Sequence, residues 1–219
     1  PVGVPAIVVA DPVVGLGRLA AAVLARLPAV TVIGITGSTG KTSTKDLLAA
    51  VLPELGPTVV PPGSFNNEIG LPLTVLRADE QTRYLALEMG ARGAGHIAYL
   101  CEIAQPRIGV VLNVGVAHAE AFGSREATAK AKSELVQALP ADGIAVLNAD
   151  DPHVVAMRAV TQATVLTFGT GPGADVSATK VELDRAGLPR FVLHTPPGSA
   201  PVAMRLVGAH HVGNALATA

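Results

Sequence analysis

Runs of β-branched and aliphatic residues recur along the chain, separated by stretches in which apolar positions return every three or four residues. Val30 to Ile35, Tyr84 to Met89, Arg107 to Val114, Ile144 to Asn148 and Thr164 to Phe168 read as buried strands, with a shorter one at Thr58 to Val60. Between them, Ser43 to Leu55, Leu71 to Leu76, His96 to Ala104, Ser124 to Leu139 and Asp151 to Thr161 carry helical spacing. Ser124 is placed to cap its helix, and Glu126 lies in the first turn. Strict alternation of this kind predicts an α/β fold: a doubly wound, mostly parallel sheet with helices on both faces.

The two ends depart from that rhythm. Val4 to Ala10 reads as a strand, Asp11-Pro12 as a cap with proline at the first helical position, and Val13 to Leu27 as a helix stopped by Pro28. Residues 1–28 are therefore expected to be the tail of a preceding domain, with 29–219 forming the main one. After Gly169, the short runs Val176 to Leu183, Arg190 to Thr195 and Val202 to Val207 are parted by Gly and Pro, as in a small antiparallel β meander. His210 to Ala219 opens an Ala-rich helix without a stop signal, so this end, too, is expected to be cut.

Composition narrows the class. Apolar residues make up 49% of the chain but aromatics only 3%, so the core must be built from Ala, Val, Leu and Ile, which suits packed α/β layers. A net charge of −1 gives no footing for a nucleic-acid or anionic-membrane partner. One cysteine, Cys101, permits no internal disulfide and favours a reducing, cytoplasmic setting. The most apolar stretch, Val13 to Ile35, is interrupted by Arg18, Arg26 and Pro28 and does not read as a membrane span.

The chemistry gathers first at Gly37-Ser38-Thr39-Gly40-Lys41-Thr42-Ser43, a Gly-rich turn between strand and helix. Glycines at 37 and 40 can take positive φ and let backbone N–H groups cradle phosphate oxygens. Lys41 supplies a point charge for the β/γ-phosphates, and the Thr42 hydroxyl suits a Mg²⁺ ligand. Position 35 is Ile where the full eight-residue pattern has Gly, so the match is to the shorter core Gly-x-x-Gly-Lys-Thr. In doubly wound sheets ligands collect at the carboxyl ends of strands. Three polar residues end strands here: Glu88, Asn113 and Asn148. Glu88 closes an apolar strand, where a carboxylate is costly to bury unless it meets a cation. His118 follows Asn113 in a loop. Lys130 and Lys132 lie on the next helix, where spacing singles out neither.

Several stretches together resemble the Mur ligases. They are Thr36 to Thr42 with its Ile35 departure, Ser64-Phe65-Asn66-Asn67-Glu68-Ile69-Gly70, Leu87-Glu88-Met89-Gly90-Ala91, Asn113 to His118 with Phe122-Gly123-Ser124, and Leu147 to Asp151. The Asn66-Asn67 segment and Met89-Gly90-Ala91 favour the branch that joins D-Ala-D-Ala to UDP-MurNAc-tripeptide over the one that adds the third residue. The resemblance implies an ATP-dependent amide ligase that passes through an acyl phosphate, with ATP and Mg²⁺ as cofactors and a monomeric state. It implies Lys41 on the β/γ-phosphates, Thr42 and Glu88 on one Mg²⁺, His118 on a second, and Lys132 as a carbamate supporting the latter. Ser64, Asn66 and Asn67 would face the nucleotide-peptide, and Asn148 and Asn214 the ATP. The final segment matches the family's adenine-side motif at Gly208, His210, Asn214 and Ala215, but His211 stands where Asn is usual. The family has three domains, of which this chain would hold the tail of the first and most of the ATP-binding second, too little for ligation by itself.

From the residues alone, other P-loop classes stay open. A GTPase should carry an Asn-Lys-x-Asp guanine reader, and Asn148-Ala149-Asp150-Asp151 lacks the lysine. Within the resembled family the alternatives are a third-residue-adding ligase and a folylpolyglutamate-type ligase, both of which the Asn66-Asn67 segment speaks against; outside it the alternative is a regulatory nucleotide-binding module.

Overall fold

The computed structural model describes residues 3, 6–115 and 123–219. At its centre lies strand β1 (Thr31–Thr36), with every residue after Thr31 buried. Parallel to it run β3 (Tyr84–Glu88) on one side and β4 (Ile108–Val111) on the other. Outward from β3 is the short β2 (Thr58–Val59); outward from β4 come β5 (Ile144–Asn148) and β6 (Thr164–Gly169). The meander β7 (Val176–Leu183), β8 (Pro189–Thr195) and β9 (Gly198–Ala203) continues the same sheet. Among the described residues the strand order is β2-β3-β1-β4-β5-β6-β7-β8-β9, with β7 joining β6 in parallel and the last two pairings antiparallel. The doubly wound expectation holds, and the meander widens the sheet rather than forming a separate layer.

Alternation along the strands builds two cores. Val32, Leu85, Leu87, Val111, Ala145 and Leu147 face one side. There they meet α3 (Gly70–Val75), α4 (His96–Ala104), α5 (Arg125–Gln137) and α6 (Pro152–Val155). Ile33, Ile35, Ala86 and Val110 face the other side, against α2 (Lys41–Val51) and α7 (His210–Leu216). Each fully buried Leu or Ile contributes roughly 1.5–3 kcal/mol, so the aliphatic composition suffices without tryptophan. Helix α1 (Pro12–Leu24) packs on α3 and α4, with Ala20 fully buried. Its cap is as expected: Asp11 Oδ1 accepts from the N–H of Val13 at 2.8 Å and of Val14 at 3.1 Å.

Two expectations are corrected. Within Val4 to Ala10, residues 6–10 form no strand, and Ile7 and Val8 are 85% and 95% exposed. An apolar run becomes a strand only when another strand accepts its backbone groups, and no described strand pairs with this one. The third meander strand lies at Gly198–Ala203, not at Val202 to Val207. Thr195 pairs directly with Gly198 across Pro196-Pro197, so the strand starts as soon as the turn closes. Pro201 is tolerated because β9 is an edge strand.

Candidate functional site

β1 sits between β3 and β4: the chain leaves it outward to β2, returns to β3 and then crosses to β4 on the other side, and the phosphate loop leaves the carboxyl end of β1 at this switch point. Gly40 has φ +84° and serves as the left-handed cap of α2. Gly37 does not share that conformation; its requirement is space, since a Cβ there would lie 2.9 Å from Leu112 Cβ. Asn113 braces the loop from the end of β4. Its Oδ1 accepts from the N–H of Thr39 at 3.0 Å, its Nδ2 donates to Thr39 O at 3.2 Å, and its carbonyl accepts from Ser38 N at 3.1 Å. Ser38 Oγ in turn accepts from Gly115 N at 2.9 Å. The first N–H groups of α2 are left without intrahelical acceptors, as at every helix start, and this is the anion-binding end of the macrodipole.

Lys41 bends back over the loop and donates from Nζ to Gly37 O at 2.7 Å. Burial lowers the pKa of its ammonium, and the charge of Glu88 acts the other way. Thr42 Oγ1 lies 3.0 Å from Ser64 Oγ, which brings the loop to the segment that carries Asn66 and Asn67. Ser43 occupies the first turn of α2. Glu88 is fully buried at the end of β3, in register with Ile35 of β1. Asn66 Nδ2 approaches its Oε2 at 3.5 Å, while its Oε1 has no hydrogen-bond partner. A buried carboxylate oxygen left without a donor is costly unless a cation completes it. Oxygen donors from one carboxylate and a hydroxyl beside a phosphate cradle are what Mg²⁺ accepts when phosphates and water fill its remaining positions. The residues present therefore fit the expected ion.

A cleft of about 540 Å³ runs from Gly37 and Lys41 past Asn66, Asn67, Gly90 and Lys132. Its far wall is made by Arg92, His96, Tyr99 and Leu100 of the α4 region and by Asp11, Val13 and Val14 of α1. Lys132 is only 5% exposed; burial, reinforced by the charge of Lys41, brings its pKa down to about 8. Asn67 lines the cleft but also shapes the chain: its Oδ1 accepts from Ile69 N at 3.2 Å and Gly70 N at 2.8 Å, opening α3. Asn148 Nδ2 donates to Leu112 O at 2.8 Å, and its Oδ1 accepts from Asp150 N at 2.9 Å, so it joins β5 to the end of β4. Asn214 of α7 is buried against the phosphate loop beside Gly40. Its neighbour His211 has a lowered pKa, from burial and the adjacent His210. His118, the remaining expected ligand, lies outside the described residues.

Sequence reasoning missed the far wall. Arg92 donates to Glu68 Oε1 at 3.4 Å at the mouth of the cleft, and its own N–H reaches His96 Nδ1 at 3.2 Å. Nothing in the local pattern distinguishes these residues from ordinary surface positions. The contribution of α1 was equally hidden, because only the packing of α1 on α3 and α4 brings Asp11 to the cleft.

Comparison with known proteins places this arrangement. Residues 35–219 match the Mur ligase middle domain. The UDP-N-acetylmuramoyl-tripeptide–D-alanyl-D-alanine ligase of Mycobacterium tuberculosis (strain ATCC 25618 / H37Rv) is 52% identical over all of this chain and 48% of its own length. A crystal structure of MurF from Acinetobacter baumannii superposes with a TM-score of 0.92 at 36% identity, covering 100% of this chain and 48% of that one. The MurF ligase of Thermotoga maritima in complex with ADP gives 0.86 at 33% identity, covering 97% and 49%. The chain thus spans about half the length of the curated relatives it matches. Over that half, the shared fold and the matched middle domain show that this chain belongs to the Mur ligase family.

Proposed function

We propose that this chain carries the ATP-binding centre of a ligase that joins D-Ala-D-Ala to UDP-MurNAc-tripeptide. The observation that carries the reading is a cleft shared by the phosphate loop and the Asn66-Asn67 segment, with a buried carboxylate that keeps an open oxygen, Glu88, next to Asn66. The 52% identity to a ligase of that name supports the choice of substrates. In this reading the peptide carboxylate attacks the γ-phosphorus of ATP, ADP departs, and an acyl phosphate forms. The amine of D-Ala-D-Ala then attacks the acyl carbon, phosphate leaves, and the amine gives up a proton.

Each residue has a part. The N–H groups at the start of α2 and Lys41 hold the β/γ-phosphates, and the charge of Lys41 follows the phosphoryl oxygens as negative charge grows on them. To do so Lys41 exchanges its bond to Gly37 O for phosphate oxygens. Thr42 and Glu88 would hold Mg²⁺, which screens the phosphate charge when bound. His118 would serve a second ion. Lys132, with its lowered pKa, has neutral amine available near pH 8, the form that can take up CO₂ and become an anionic carbamate. Ser64, Asn66 and Asn67 orient the nucleotide-peptide; Asn148 and Asn214 stand on the ATP side. Residues 29–219 form the ATP-binding unit, and 1–28 lead in from a domain that binds the uridine nucleotide. A further domain would close over ATP and the amine. The enzyme acts as a cytoplasmic monomer; among the described residues no helix is long and apolar enough to cross a membrane.

The test is phosphate release from Mg-ATP by the full-length protein with UDP-MurNAc-tripeptide, with and without D-Ala-D-Ala. Release that needs both substrates and disappears in Lys41→Ala is expected. Release indifferent to the dipeptide, or answering to a single amino acid or to glutamate, would overturn the reading.

A further inference from the structure

Helix α4 begins at Gly95, which has φ +83° and offers no side chain to the helix start. Its acceptor comes from elsewhere. Glu134 on α5 receives Gly95 N–H on Oε1 at 2.7 Å and Ala98 N–H on Oε2 at 3.0 Å. A carboxylate at this position both satisfies orphan donors and complements the positive end of the helix macrodipole. Both oxygens are engaged by backbone groups, so the interaction fixes position and orientation. Charge-assisted bonds of this kind contribute more than neutral ones.

The location gives the tie a consequence. Two residues before Glu134, on the same helix, Lys132 enters the cleft; just past Gly95, His96, Tyr99 and Leu100 form the facing wall. The two sides of the cleft belong to different helices, and Glu134, about 200° around its helix from Lys132, joins those helices behind the cleft, beside Ala98, Cys101 and Glu102. We infer that Glu134 is a positioning residue: its carboxylate sets the spacing between Lys132 and the α4 wall, and so the shape of the half of the cleft that receives the non-ATP substrate. The phosphate loop is braced separately, through Asn113 just past β4, so the tie should act on one substrate and spare the other. The identity of that substrate rests on the function proposed above; the tie itself does not.

The test uses full-length protein carrying Glu134→Ala, Glu134→Gln or Glu134→Asp. Three readouts are taken: hydrogen exchange of the amides from Gly95 to Tyr99, affinity for a fluorescent ADP analogue, and KM for UDP-MurNAc-tripeptide. Glu134→Ala is expected to speed exchange in that segment at least about tenfold, since two charge-assisted bonds are lost. KM for the nucleotide-peptide should rise by a similar factor, with ADP affinity held within about twofold. Glu134→Gln keeps one acceptor and should fall between wild type and Glu134→Ala; Glu134→Asp, too short to reach both donors, should resemble Glu134→Ala. Unchanged exchange in Glu134→Ala would overturn the tie. Faster exchange with unchanged KM, or an equal loss of ADP affinity, would overturn its positioning role. If the wild-type protein shows no ligation, the functional reading fails while the exchange result still decides the tie.

Discussion

Asn214 stands directly over Gly40: a Cβ added to Gly40 would lie 2.6 Å from Asn214 Oδ1. One residue ends the phosphate loop and the other sits on α7, 174 positions later by their numbers. The contact adds to the bonds Asn113 makes to Thr39 one residue earlier. It also means that the glycine is required twice, once for its φ of +84° and once for the space above it.

Gly40→Ala should therefore lose nucleotide binding by more than about tenfold, because the loop must shift to relieve both strains. With Asn214→Gly as the reference, since Asn214 itself stands on the ATP side, adding Gly40→Ala should still lower the affinity, because the backbone strain persists without the clash. Titration with a fluorescent ADP analogue checks both. A double variant that binds as well as Asn214→Gly alone would show that space, not φ, governs the position.

Glu88 is held in the fold at a cost that the cation is expected to offset. In Glu88→Gln the open oxygen loses its charge, and the Mg²⁺-free protein should melt at the same temperature as wild type or higher. Phosphate release should drop by at least about a hundredfold, together with the Mg²⁺ dependence of nucleotide binding. Calorimetry with and without Mg²⁺ separates the two effects. A variant that keeps the wild-type Mg²⁺ dependence would remove Glu88 from the ion site.

Lys132 gives stability a pH dependence of definite sign. Its folded-state pKa of about 8 lies below the ordinary 10.5, so the charged form is disfavoured by the fold. Below about pH 8 both folded and unfolded chains hold the proton and the full cost is present. Between about 8 and 10.5 the folded chain releases it first, and stability rises with pH, by at most about 3 kcal/mol. Lys132→Met should lack this rise. Urea unfolding of both proteins at pH 7 and 9.5, under CO₂-free buffer, measures it; parallel pH slopes would contradict the assignment.

Asp151 fastens the chain leaving β4 to the start of α6. Its Oδ2 accepts from the buried Val114 N–H at 2.8 Å, and its Oδ1 caps α6 by accepting from His153 N at 2.9 Å. Arg125 braces the same point, donating from Nε to Val114 O at 2.7 Å. Asp151→Ala strands a buried donor and removes a cap, so a loss of about 2–4 kcal/mol is expected in chemical unfolding. Asp151→Asn should lose less, because its amide oxygen can still accept one of the two bonds.

The strands and helices around the phosphate loop could be read from the chain because their signals are local. Periodicity marks which face of each element is buried, Asp11 and Ser124 mark helix starts, and Gly-x-x-Gly-Lys-Thr needs only its own strand and helix. The sequence by itself determined the α/β class, the loop, and the polar residues at strand ends that surround it. Only the tertiary structure decided which distant groups complete the site. Thr39 meets Asn113 across 74 residues and Glu134 caps α4 across 39, and neither pairing leaves a trace in spacing. The same holds where local reading failed: residues 6–10 are apolar enough for a strand but meet no described partner, and β9 starts where its turn to β8 closes. A side chain's chemistry is written in its identity, but its partners are set by sheet register and helix packing, which sum contacts over the whole chain.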